Sequence, residues 1–180
     1  MARTERHAGA TGAVLAFLAA LGAAGAPSAG AASGGAPKCA AGSYRQLDFW
    51  LGDWDVYDVG GATPVARAHI TSILDGCVVH ERYESPRTVG ESFSIFDRTR
   101  GVWHQTWVTS RGRLLQVEGG LTDARIELAG GYLDEQGQRT RIRAAWWPVA
   151  GGVREQAEIS ADDGRTWKSE FDLMFRPHRE

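Results

Sequence analysis

From residue 53 onward, apolar and polar positions alternate with a period of two, in short runs separated by turn signals, and helical periodicity is almost absent. The runs fall near 53–59, 65–74, 77–84, 89–97, 102–109, 113–118, 123–129, 139–147, 153–160 and 166–175. Between them stand Gly60-Gly61, Asp75-Gly76, Thr99-Arg100-Gly101, Ser110-Arg111-Gly112, Gly119-Gly120, Asp134 to Gly137, Gly151-Gly152 and Asp162-Asp163-Gly164. Gly and Asp are what tight hairpins need, because their central residues take positive φ. The pattern predicts an all-β, antiparallel meander of about ten strands, and a sheet that long hides its edges best by closing into an up-and-down β-barrel. Ahead of the first strand, Ser43 and Gln46 have capping-box spacing and lead into Leu47-Asp48-Phe49-Trp50-Leu51, which predicts a short N-terminal capping helix over the barrel end.

The N-terminal stretch has a different character. Arg3 and Arg6 precede the apolar run Ala13–Leu21, and small residues follow, as in a secretory signal. The run is shorter than the roughly 20 apolar residues that a membrane-spanning helix needs. Residues 1–32 therefore read as a signal peptide, with the cleavage point open between Ala24 and Ala32, 33–42 as a short linker, and 43–178 as one barrel domain. An exported chain, periplasmic or secreted, is expected to pair its two cysteines, which predicts a Cys39–Cys77 disulfide.

Charge removes one class of function. The chain has 20 basic and 22 acidic residues and a net charge of -2; without Arg3, Glu5 and Arg6 the balance is 18 to 21. A near-neutral domain with two lysines and no basic stripe is not built to neutralise phosphates, so nucleic acid is not an expected partner. Nor is membrane, once the leader is gone. Oligomeric state is not legible.

Gly52-Asp53-Trp54 at the start of the first strand resembles the G-x-W of lipocalins and their calycin relatives. There the Trp sits at the barrel base and an Arg from the end of the last strand packs across the indole. The resemblance implies that Trp54 and Arg176 close the barrel. A longer similarity, to an uncharacterised bacterial secreted domain family of calycin (lipocalin-like) type, runs through Arg45 to Val56, Gly76 to Glu81, Trp103 to Val108 and Ser160 to Trp167. It implies a fold and no reaction. Heme-binding nitrobindins, of the same broad architecture, carry their axial His on the last strand. Lys168 to Leu173 contains none, so no cofactor is implied.

The candidate ligand-binding face follows from alternation within each strand. Glu81 and Tyr83 share one face of the third strand, Trp103, Gln105 and Trp107 one face of the fifth, and Arg143 and Trp147 one face of the eighth. Together these seven predict a semi-polar lumen with aromatic walls, in which Arg143 needs an acidic partner such as Glu81 or Glu158. A lumen filled by those same side chains is the competing expectation. His69, His80 and His104 lie on different strands with no converging spacing, so no metal site is expected. No catalytic residue is assigned: G-x-S-x-G is absent and no Ser, His and Asp group stands out. Ser160 to Trp167 matches an Asp-box, S-x-D-x-G-x-T-W, read as a turn that ties itself together. Three functions remain: a barrel binding a small, partly apolar molecule; an isomerase or lyase using Glu81 in the same pocket; and an envelope-interaction domain with a packed lumen.

Overall fold

The computed structural model describes residues 39–40, 42–134 and 136–179. The predicted signal peptide, most of the predicted linker and any cleavage site lie outside the described residues. Ten antiparallel strands form a closed barrel: β1 (Gly52–Asp58), β2 (Ala66–Ile73), β3 (Val78–Glu84), β4 (Val89–Asp97), β5 (Val102–Thr109), β6 (Leu114–Thr122), β7 (Arg125–Leu133), β8 (Arg139–Val149), β9 (Gly152–Ser160) and β10 (Lys168–Pro177). Each strand pairs with its neighbours in sequence, and β1 pairs with β10 from Trp54 opposite Pro177 to Asp58 opposite Leu173, so no edge remains. The all-β barrel expected from the alternation is what the chain forms.

One boundary differs for an informative reason. Gly119-Gly120 reads as a turn, yet both residues lie inside β6, opposite Leu128 and Glu127. A Cβ on Gly119 would stand 2.0 Å from the Glu127 carbonyl oxygen, so this glycine permits close strand approach. The turn falls instead at Asp123 and Ala124, both at positive φ, in a two-residue hairpin loop.

Below β1, the expected capping helix is two 3-10 turns, Gly42–Arg45 and Asp48–Trp50. The capping box is not made. Gln46 turns its side chain inward, and its Oε1 accepts from Trp103 Nε1 at 2.9 Å. Trp50 is 1 % exposed and meets Trp146 and Phe175 with ring centres 6.0 Å away. Its carbonyl accepts from Trp54 Nε1 at 2.8 Å. Leu47, Trp50, Trp54, Ile70, Trp103, Ile126 and Phe175 make a solid apolar floor across this end of the barrel. Two links hold the floor segment in place: the Arg45 guanidinium donates to the Gly76 carbonyl, and Cys39 is disulfide-bonded to Cys77, with Cα atoms 4.9 Å apart.

The expected Trp54–Arg176 packing does not occur. Trp54 points inward, and the partner that reaches it from β10 is Phe175, edge-on at 6.4 Å. With Phe175 inside, alternation puts Arg176 outside, exposed and 4.3 Å over the Tyr57 ring. Main-chain pairing of β1 with β10 closes the barrel; an Arg–Trp stack does not.

The disulfide joins residues 38 apart in sequence, and a loop of that length contributes about 3–4 kcal/mol by chain entropy. Free-thiol titration of denatured, non-reduced protein is expected to find no thiol. Urea unfolding of a Cys39→Ser, Cys77→Ser variant is expected to show a loss of that order with the barrel still formed.

Candidate functional site

Above the floor the lumen is open. A cavity of about 330 Å³ is lined by Asp58, Val65, Glu81, Tyr83, Gln105, Trp107, Leu115, Val117, Ile142, Ala144, Trp146, Glu155, Phe171 and Leu173. Its mouth lies at the end where β1, β3 and β5 finish and where β6 and β10 begin, marked by exposed Asp58 and half-buried Tyr83 and Trp107. Most of the wall is aliphatic or aromatic, with a few polar groups converging inside it, which is how small-molecule sites are built.

Apart from Val65 in the β1–β2 loop, the wall residues are placed by strand alternation, and cross-strand bonds lock Glu81 and Gln105. Glu81 is 6 % exposed and accepts from Ser92 Oγ at 2.8 Å, across the β3–β4 pair that sets these two residues opposite one another. Gln105 Nε2 donates to Ser94 Oγ at 3.0 Å in the same way across β4–β5. Tyr83 meets Trp107 edge-on at 6.0 Å. Trp107 fits because Gly90 has no side chain: a Cβ there would lie 2.4 Å from the indole Cζ2.

Four of the seven candidate lumen residues, Glu81, Tyr83, Gln105 and Trp107, line this cavity. Trp103 also points inward, but it is 1 % exposed and belongs to the floor. Arg143 and Trp147 are on the outer wall, against expectation. In β8 the inward positions are Thr140, Ile142, Ala144 and Trp146, a face without charge. The opposite face carries Arg139, Arg141 and Arg143, whose guanidinium groups water solvates at far lower cost than a lumen would. Arg143 Nε donates to Glu158 Oε2 at 2.7 Å outside the barrel, and the group stacks 4.3 Å over Trp167. Trp147 lies under Arg125, 4.3 Å away.

Sequence reasoning missed Trp146 and Glu155. Trp146 was legible as the alternate of three arginines. Glu155 shares its face of β9 with buried Val153 and Ala157, and only the closed barrel brings it near Glu81.

Those two carboxyls dominate the electrostatics. Burial pushes the Glu81 carboxyl up to about 7, against the opposing pull of the Ser92 hydroxyl. Burial, and then the neighbouring Glu81 charge, push Glu155 well above the usual carboxylate range, with the Trp146 indole pulling the other way. Burial, with Glu155, Glu81 and Asp58 nearby, raises the Tyr83 phenol to about 12, so it stays a neutral hydroxyl. Trp146 is 3 % exposed, and its Nε1–H has no hydrogen-bond partner among the described residues. Trp50 Nε1 is also unpartnered, but Trp50 does not line the cavity.

Among the described residues the histidines stay outside this arrangement, each with its own acidic partner: His69 with Asp53, His80 with Glu91 at 3.1 Å, His104 with Glu118 at 2.8 Å and His178 with Asp55 at 2.9 Å. The Asp-box is internally satisfied. Asp162 accepts from Ser160 Oγ and from the Thr166 backbone and hydroxyl, and Trp167 Nε1 donates to the Gly164 carbonyl at 3.0 Å.

No protein-family model and no curated protein matches the chain. The closed ten-strand antiparallel barrel is compatible with a calycin-like fold. Among the described residues no helix is long and apolar enough to cross a membrane, and the disulfide suits an oxidising, exported setting.

The raised carboxyls make stability depend on pH in a definite direction. A carboxyl that holds its proton more tightly when folded favours the fold most in acid. That contribution is lost as pH climbs from the usual value of 4.5 through about 7, and for Glu81 it is on the order of 3 kcal/mol. The surface carboxylate Glu118, pulled down to about 2 by Arg100, acts in the opposite sense and below this window. Urea unfolding at pH 5 and pH 8 is expected to show a fall in stability for the natural protein. The fall should shrink for Glu81→Gln and nearly vanish for Glu81→Gln with Glu155→Gln; equal falls in all three would contradict the assignment.

Proposed function

We propose that this chain is an exported, lipocalin-like barrel that binds a small, partly apolar molecule in its lumen. The observation that carries the reading is the cavity of about 330 Å³, blind at the Trp50 floor and open at the other end. A barrel of this size is often filled by its own side chains. Here Gly90, Ala144, Ser92 and Ser94 are small residues at inward positions, and they leave space that Trp107 and Trp146 frame. The volume sits at the lower end of the range for small-molecule sites. That favours a compact ligand and disfavours the packed-lumen, envelope-interaction alternative.

A second reading, an isomerase or lyase, is favoured by one observation. A carboxyl brought to about 7 titrates where a general acid or base works best. Binding ranks above it because the wall of the cavity carries no cation to stabilise a developing negative charge: its charged residues are all acidic. Export rests on the leader pattern and the disulfide together.

Native mass spectrometry of the protein purified from its own host is expected to show a small non-covalent adduct. Gly90→Ala, which drives Trp107 out of its seat, is expected to lose the adduct while keeping the fold. Protein that arrives without any adduct, and whose tryptophan emission is unmoved by millimolar 1-octanol, would sink the reading.

A further inference from the structure

The cavity has an unbalanced charge. Its wall contains three carboxyls, Glu81, Glu155 and Asp58, contributed by β3, β9 and β1. The other elements facing it add Val65, Gln105, Trp107, Leu115, Val117, Ile142, Ala144, Trp146, Phe171 and Leu173, and Tyr83 lies beside Glu81 on β3, so no cation lines the wall. Barrel arginines are spent outside, as Arg143 on Glu158 and Arg154 on Asp172 at 2.8 Å. Buried acidic groups are normally matched by a cation or a metal, and otherwise they stay protonated.

Two further features distinguish this from a surface acidic cluster. Glu81 and Glu155 lie inside the lumen with the π-faces of Trp107 and Trp146 and the phenol of Tyr83, surfaces that attract organic cations, while Asp58 stands exposed at the mouth. The Trp146 N–H is buried with no close hydrogen-bond partner among the described residues, and Trp146 stands opposite Glu155 across the β8–β9 pair, where its indole pulls that carboxyl down.

Building on the lumen-binding reading above, we propose that the ligand is a small amphiphilic organic cation, a protonated amine on an apolar body. Its ammonium group sits between Glu81 and Glu155, and its body lies against Trp107, Leu115 and Phe171 toward the mouth. Glu81 keeps its Ser92 hydrogen bond and supplies one carboxylate oxygen to the ammonium. Glu155 gives up its proton as the cation arrives and accepts from Trp146 Nε1. Entry of the cation therefore releases a proton to solvent, and no covalent bond forms or breaks apart from that transfer. Affinity rises with pH from about 5.5 to 8, because the alkylammonium stays charged throughout that range while Glu81, Glu155 and their neighbours Asp58, Tyr83 and Gln105 add no competing cation.

The test compares three probes with one apolar body and different heads, n-octylamine, 1-octanol and octanoate, titrated into the mature protein by calorimetry and tryptophan emission. At pH 8 octylamine is expected to bind at least about tenfold tighter than octanol, with octanoate weakest. In two buffers of different ionisation enthalpy, octylamine binding is expected to release a proton. Glu81→Gln combined with Glu155→Gln, checked for fold by near-ultraviolet circular dichroism, is expected to keep octanol binding and lose the amine preference. Equal binding of the three probes, tightest binding of octanoate, or an amine preference that survives the double variant would each overturn the cation assignment and leave lumen binding standing. No saturable binding by any probe would overturn both.

Discussion

The Trp50 floor is the constraint on which the rest of the molecule depends. A ten-strand barrel is hollow, and without a plug at one end its lumen would be a water-filled channel. Trp50 meets Trp146 and Phe175, its carbonyl receives the Trp54 indole, and the segment that carries it is tied to the β2–β3 turn through Arg45 and the Cys39–Cys77 bond. That closure makes the cavity blind. Burial in turn raises Glu81 and Glu155, being the first cause of both shifts. The electrostatic character of the lumen is thus a consequence of a floor built from residues that precede the first strand.

The two faces of the wall divide the chemistry cleanly. Outside, charged groups are paired and solvated: Arg100 bridges Asp97 and Glu118, Arg82 bridges Glu84 and Glu91, and Arg154 holds Asp172. Such exposed pairs contribute little each. Inside, polar groups are few and held by single cross-strand bonds, Ser92 to Glu81 and Gln105 to Ser94. The interior spends its polarity at the middle of the barrel, between an aromatic floor and an aromatic mouth. That spacing separates a site for a charged or hydrogen-bonding head from a wall for an apolar body.

Strand number, strand order and the inward faces of β3 and β5 were legible because a period of two is local: Glu81 with Tyr83, and Gln105 with Trp107, share a face whatever the rest of the chain does. The face chosen for β8 was misread. Arg143 and Trp147 were grouped by their capacity to bind, while the better signal was that Arg139, Arg141 and Arg143 share one side and Thr140, Ile142, Ala144 and Trp146 share the other. Desolvating three guanidinium groups is costlier than burying an uncharged stripe. The same alternation places Phe175 against Trp54 and sends Arg176 outside, over Tyr57.

Sequence alone determined the all-β class, the hairpins other than β6–β7 and the cysteine pair, since turn chemistry, alternation and redox setting act over a few residues or through composition. Tertiary structure decided which residues meet across the lumen. Five strands, β4 to β8, stand between Glu81 on β3 and Glu155 on β9 in chain order, and nothing local relates them. Their proximity comes from the curvature of the closed sheet, which brings inward side chains of distant strands to a common axis. Whether the lumen would be filled or open was likewise decided there: it depends on how the volumes of Gly90, Ala144, Trp107 and Trp146 sum around that axis, and no stretch of sequence contains that sum.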